Sequence, residues 1–170
     1  TYSPGIAVVT NIYPDHLNYY KKMEAYVADK EMIFRSQKKD GVLILNHDNE
    51  GTRAFASKAT GRVVWFSEED MTTGEGVFVR NGSVYERTLK GESELFPWPK
   101  TVLKGRHNRS NILAAIVTAR VQGVSPAAIL KALESFKGVP HRLELIGEKN
   151  GVLFCNDTAA TMPEAAIAGI

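Results

Sequence analysis

Residues 10–34, TNIYPDHLNYYKKMEAYVADKEMIF, decide how this chain is read. The stretch begins where an apolar run, Gly5-Ile6-Ala7-Val8-Val9, stops at a polar turn, Thr10-Asn11. That pattern predicts a buried strand ending at a functional edge. A loop with Pro14, Asp15 and His16 follows, and then a helix over residues 21–37. Met23, Val27, Lys30 and Phe34 are spaced 4, 3 and 4 apart and so share one helical face. A lysine in an apolar stripe has a plain reading, in which it lies at the edge and snorkels its ammonium into water. A sharper reading joins Lys30 to His16, which stands between the strand end and the same helix. Together they would build a metal site, provided that the lysine first loses its positive charge.

Outward from that stretch the pattern repeats. Lys39-Asp40-Gly41 turns into a short apolar strand, Val42-Leu43-Ile44-Leu45, followed by a helix over residues 50–59 and a strand over residues 62–66. Strand alternating with helix predicts an α/β fold, a mostly parallel sheet with flanking helices. Polar groups at the carboxyl ends of such strands line the binding crevice. Asn46 and Asp48 thus have a functional reading beside that of helix caps, with the cap expected at Asp48 or Asn49. Between residues 74 and 99 the period changes to two, and Asn81-Gly82 marks the turn of an antiparallel hairpin, so a small meander is attached to the sheet. Two further helices are predicted, one running to about residue 122 and capped by Asn108 or Ser110, the other over residues 125–135 with Pro126 in its first turn. A second hairpin turns at Asn150-Gly151, and an alanine-rich helix is expected over residues 163–170.

The 170 residues suffice for one good core, and 44% hydrophobic with 24% charged residues is ordinary globular composition. A net charge of +2 with no basic, aromatic-laced patch gives no case for a nucleic-acid partner. The single cysteine, Cys155, excludes an internal disulfide and suits a reducing setting. No apolar run reaches transmembrane length, so a cytoplasmic protein without a membrane partner is expected. The chain opens at Thr1 and closes at Ile170 inside a helical pattern, which reads as a piece of a longer polypeptide.

Four segments together resemble the Mur ligases, ATP-dependent enzymes that add amino acids to the peptidoglycan precursor. The first is D-H-L-x-x-Y followed by A-x-K-x-x-I-F, with fourteen residues from His16 to Lys30. The second is G-x-H-N-x-x-N-x-x-A-A over residues 105–115, the third F-K-G-V-P-H-R-L-E over residues 136–144, and the fourth N-D-T-A-A-T-x-P over residues 156–163. The resemblance implies that His16 ligates magnesium and that Lys30 does so as a carbamate, an anionic oxygen ligand suited to a hard cation. It implies that Asn108 and Asn111 meet the adenine edge of ATP, that Arg142 reaches the phosphates, that Asp157 orients nucleotide and metal, and that Thr161 and His16 lie near substrate. It further implies a central ATP-binding domain over residues 1–139, an amino-acid-binding domain beginning at residues 140–170, and a monomer.

The P-H-R-L-E and N-D-x-x-A-T forms match the D-glutamate-adding member of the family better than its siblings. The implied substrates are therefore ATP, UDP-N-acetylmuramoyl-L-alanine and D-glutamate. Another Mur ligase or a folylpolyglutamate synthase is the nearest alternative, and a non-catalytic nucleotide-binding domain is the alternative of a different kind. Two departures bear on this choice. The lysine usual in the fourth segment is Ala159, and no G-x-x-x-x-G-K-[ST] phosphate loop occurs in these residues, so the 170 residues alone are expected to be inactive.

Overall fold

Six strands form one sheet in the order in which the sequence delivers them, β1 (Ile6–Val9), β2 (Val42–Asn46), β3 (Arg62–Ser67), β4 (Gly76–Arg80), β5 (Ser83–Thr88) and β6 (Gly91–Pro97). The computed structural model describes residues 3–13, 20, 22–103, 105–160 and 167. The first four strands run parallel, and β4, β5 and β6 pair antiparallel as the expected meander. The segment Gly91–Pro97 forms the edge strand β6. The loop with Pro14, Asp15 and His16, the residue Thr161, and the helix expected over residues 163–170 (Ile167 apart) lie outside the described residues.

The alternation of side chains along the strands supplies two cores. On one face Ile44, Val64, Phe66, Val77 and Val84 pack against Ile112, Leu113, Ile116 and Val117 of helix α3 (Arg106–Val121) and Ile129 of α4 (Pro126–Ser135). On the other face Ala7, Val9, Leu43 and Leu45 pack against Tyr26 and Phe34 of α1 (Met23–Arg35) and against Phe55. The sheet is thus covered on both sides, as a parallel sheet requires. Among the described residues, no helix is long and apolar enough to cross a membrane.

Three local details depart from expectation, each for a physical reason. The helix predicted over residues 50–59 divides into α2 (Glu50–Arg53) and a 3-10 turn at Ala56–Lys58. Phe55 N donates to Thr52 O at 3.0 Å, an i to i+3 bond, and this tighter winding brings Phe55 fully into the core, 5.2 Å from the Phe34 ring. Burying such a ring contributes about 1.5–3 kcal/mol, more than the lost helical bond. Helix α3 is not capped by Asn108 or Ser110. Its N-cap is Gly105 at φ 87°, a left-handed conformation that glycine adopts without a Cβ penalty.

The third departure concerns α1. Its buried face runs through Tyr26, Glu31 and Phe34, with Met23 and Val27 half-buried, while Lys30 is exposed. The Lys30 ammonium lies 5.3 Å from the centre of the Tyr26 ring. The lysine therefore sits beside the stripe rather than in it. Glu31 takes the inner position and is paired with Lys58 and, at 3.5 Å, with Arg35. The second hairpin, β7 (Glu144–Lys149) with β8 (Val152–Asn156), forms a separate two-stranded sheet. Asn150 and Gly151 turn it at φ 54° and 76°, the geometry of a tight primed turn.

Candidate functional site

A cleft of about 740 Å³ opens along the carboxyl edge of the parallel strands. Thr10, Asn11 and Tyr13 after β1, Asn46 at the end of β2 with Asp48 just after it, and Glu68 and Glu69 after β3 line one side. His107, Ser110 and Asn111 from the first turns of α3, then Arg142, Leu143, Asp157, Ala159 and Ala160, complete it. Its size falls within the range of small-molecule sites, and its place is the one that an open parallel sheet offers to ligands.

The strand ends are tied to one another by their own side chains. Asn49 caps α2, accepting from Thr52 N at 3.0 Å, and also accepts from Ile12 N at 3.1 Å. Of the two residues considered as this cap, Asn49 fills the role. Gly51 lets the two segments approach, because a Cβ there would stand 2.6 Å from Ile12 Cβ. Asp48 instead bridges to β3, accepting from Ser67 Oγ at 2.6 Å and from Glu68 N at 2.7 Å. Glu68 receives Arg109 Nε at 3.2 Å, and the Arg109 guanidinium stacks 4.2 Å from the Trp98 ring. Glu68 was not singled out in the sequence, although it occupies the strand-end position that drew attention to Asn46.

The far wall holds Arg142 in a short, strained loop. The residues on either side, His141 and Leu143, have φ of 65° and 47°, a region that costs a residue other than glycine roughly 1–3 kcal/mol. Hydrogen bonds to the loop after β8 and to Glu144 at the start of β7 hold this conformation. Leu143 N donates to Asp157 Oδ1 at 3.1 Å, Ala159 N donates to His141 O at 2.9 Å, and His141 N donates to Glu144 Oε2 at 2.8 Å. The Asp157 carboxylate thus anchors the backbone next to Arg142 while lining the cleft itself.

Of the site residues expected from sequence, the cleft brings together Asn111, Arg142 and Asp157. Asn108 is buried at the first turn of α3 and is not among the lining residues, so the two asparagines do not face one space together. Lys30 does not line the cleft either. His16 and Thr161 lie outside the described residues. His107 lines the cleft, and its Nδ1 is buried without a hydrogen-bond partner among the described residues.

The fit to a magnesium ion can be judged from the donor set. Among the described residues, no group of three or more His, Cys, Asp or Glu side chains could hold a metal ion. Lys30 is exposed, with its ammonium over an aromatic ring. The described residues alone thus do not complete a metal site, and His16 lies outside them. A nucleotide fits better, since the cleft offers a carboxamide at Asn111, a guanidinium at Arg142 and polar strand ends.

The model of the Mur ligase middle domain matches residues 1–119. The UDP-N-acetylmuramoylalanine--D-glutamate ligase of Acidobacterium capsulatum is 42% identical over 167 residues, covering 97% of this chain and 36% of that protein. The protein of the same name from Acetivibrio thermocellus is 42% identical over 170 residues, covering 100% of this chain and 36% of its own length. Among solved structures, the UDP-N-acetylmuramoylalanyl-D-glutamyl-2,6-diaminopimelate--D-alanyl-D-alanyl ligase of Acinetobacter baumannii superposes with a TM-score of 0.74 at 26% identity, over 98% of this chain and 36% of that one. A murein peptide ligase of Psychrobacter arcticus shares the fold, with a TM-score of 0.68 at 22% identity over 99% of this chain and 34% of its own. The chain thus spans about a third of the length of the relatives that it matches.

Proposed function

The chain belongs to the Mur ligase family, and from that premise we propose that it supplies the nucleotide-facing part of a ligase that joins D-glutamate to UDP-N-acetylmuramoyl-L-alanine with ATP in peptidoglycan synthesis. The observation that carries this reading is the cleft in which Asn111, Arg142 and Asp157 converge on the carboxyl edge of the sheet. The identity of 42% to D-glutamate ligases along nearly the whole chain supports the choice of amino acid. Residues 1–139 would belong to the ATP-binding domain, and residues 140–170 would open the domain that receives D-glutamate. A cytoplasmic monomer suits this role.

In the reaction proposed, a carboxylate oxygen of the UDP-substrate attacks the γ-phosphorus of ATP and ADP leaves. The amine of D-glutamate then attacks the acyl carbon, phosphate departs with the electron pair of the broken C–O bond, and the nitrogen gives up a proton to solvent as the amide forms. Asn111 would hydrogen-bond the adenine edge with its carboxamide. Arg142 would place its guanidinium against the negative charge of the phosphates, which its tethered loop holds ready before the ligand arrives. Asp157 would keep that loop in place. Ala159, in the position of the family's usual lysine, leaves Arg142 as the cation that the described residues present to the cleft. Magnesium would neutralise phosphate charge in the whole ligase. The assignment of His16 and Lys30 to that ion is a proposal that rests on resemblance.

Phosphate release by the whole ligase that carries this chain tests the reading. Release should require ATP, UDP-N-acetylmuramoyl-L-alanine and D-glutamate together, and the 170 residues alone should release none. Release that depends instead on a different amino acid, or on a folate, would move the chain to another branch of these ligases.

A further inference from the structure

We propose that Asn46 is a positioning residue, a carboxamide clasp that sets the first turn of α3 against the loop after β1 and so fixes the two sides of the cleft relative to each other. The inference rests on the reading of that cleft as the nucleotide site. Asn46 ends β2 and is 7% exposed. Its Nδ2 donates one hydrogen to Thr10 O at 2.9 Å, in the loop that leads towards His16, and the other to Ser110 Oγ at 3.3 Å, on the helix that presents Asn111. Its Oδ1 accepts from Asp48 N at 2.9 Å and so steadies the residue that bridges to β3.

A carboxamide offers two N–H donors beside a carbonyl acceptor, and here both donors are engaged within the protein. Asn46 therefore borders the cleft without a donor left for a ligand. Its place decides what it does. Thr10, after β1, and Ser110, on α3, are 100 residues apart in sequence by their numbers, and one short side chain spans them. Neighbouring Arg109 makes a second tie from α3 to the strand ends through Glu68. The strand end thus holds α3 at two consecutive residues, and only the Asn46 tie also reaches the β1 loop.

The same fold contains a matched comparison. Gln37 is likewise a buried amide, 5% exposed, and its Nε2 donates to Pro4 O at 3.1 Å and to Val42 O at 3.0 Å. It ties β1 to β2 at their amino ends, away from the cleft. Both amides hold strands together, but only Asn46 holds the site.

The test uses the whole ligase with Asn46→Asp, Asn46→Ala, Ser110→Ala and Gln37→Ala. Asn46→Asp keeps the shape and the Oδ1 acceptor while removing both donors, so it remains informative where Asn46→Ala fails to fold. In both Asn46 variants kcat should fall roughly ten- to hundredfold, the scale of a small misplacement of reacting groups. The dissociation constant for ADP, measured by calorimetry, should change by less than about threefold, because the contacts on α3 itself are intact. Ser110→Ala should lower kcat in the same direction and add little on top of Asn46→Ala. Gln37→Ala should lower Tm and leave kcat within about twofold. The proposal is overturned if the Asn46 variants behave like Gln37→Ala, or if ADP affinity falls in step with kcat. Failure of the functional reading appears elsewhere, as a parent enzyme without D-glutamate-dependent phosphate release, and removes the ground of this proposal too.

Discussion

Lys30 and Asn46 mark the limits of reading single residues. Spacing places Lys30 near an apolar stripe, but helical period does not fix which neighbour takes the inner position. Here Glu31 takes it, because Lys58 arrives from the 3-10 turn to pair with it, a contact between positions that no local pattern links. The metal-ligand role of Lys30 therefore stands on resemblance and needs its own test. In the whole ligase, Lys30→Ala should lose turnover while keeping its fold, and acetate should restore part of the rate by supplying a free carboxylate in place of the carbamate. A small loss with no response to acetate would leave Lys30 as a surface lysine above Tyr26. Asn46 was legible as a strand-end polar group, and Asn111, Arg142 and Asp157 as motif positions. Asn108 is buried and lies outside the cleft lining while Asn111 lines it, since a spacing of three does not separate a buried neighbour from an exposed one.

At the scale of elements, the parallel strands and both Asn-Gly hairpins were legible because period and turn chemistry are local. The break after α2 was not, since its cause is the packing of Phe55 against Phe34 across a sequence gap. The charged cover of the meander was missed for the same reason. Arg80 donates paired bonds of 2.8 Å to the Asp70 carboxylate and also binds Glu92, while its guanidinium lies 5.0 Å from the rings of Phe78 and Tyr85. The hydrogen bonds from Arg80 are the largest cause holding the carboxyls of Asp70 and Glu92 below their ordinary values, with Arg87 adding to the effect on Glu92. A carboxylate with a lowered folded pKa contributes stability that is present above its unfolded pKa and is lost as pH falls through the folded value. These groups are exposed, so the contribution is small. Carbon-detected titration should find both carboxyls below the normal carboxylate range and Arg80→Ala should return them upward. Unshifted titration in the parent would show that the clamp does not persist in solution.

For the whole molecule, the mostly parallel sheet with helices on its flanks was legible as an α/β pattern, and the cleft follows from that topology. What the sequence pattern could not convey is how loops distant in the chain share one rim. Arg142 and Asp157 line the same cleft as Asn46, Asp48 and Glu68, and the strained turn is tied to the loop after β8. The central claim is that this rim receives a nucleotide. Hydrogen–deuterium exchange of the whole ligase, with and without ADP, tests it most directly. ADP should slow exchange in residues 105–111, 141–143 and 157–160, and leave residues 98–103 unchanged. Slowing confined to segments outside the rim, at ADP concentrations that saturate binding, would contradict the account.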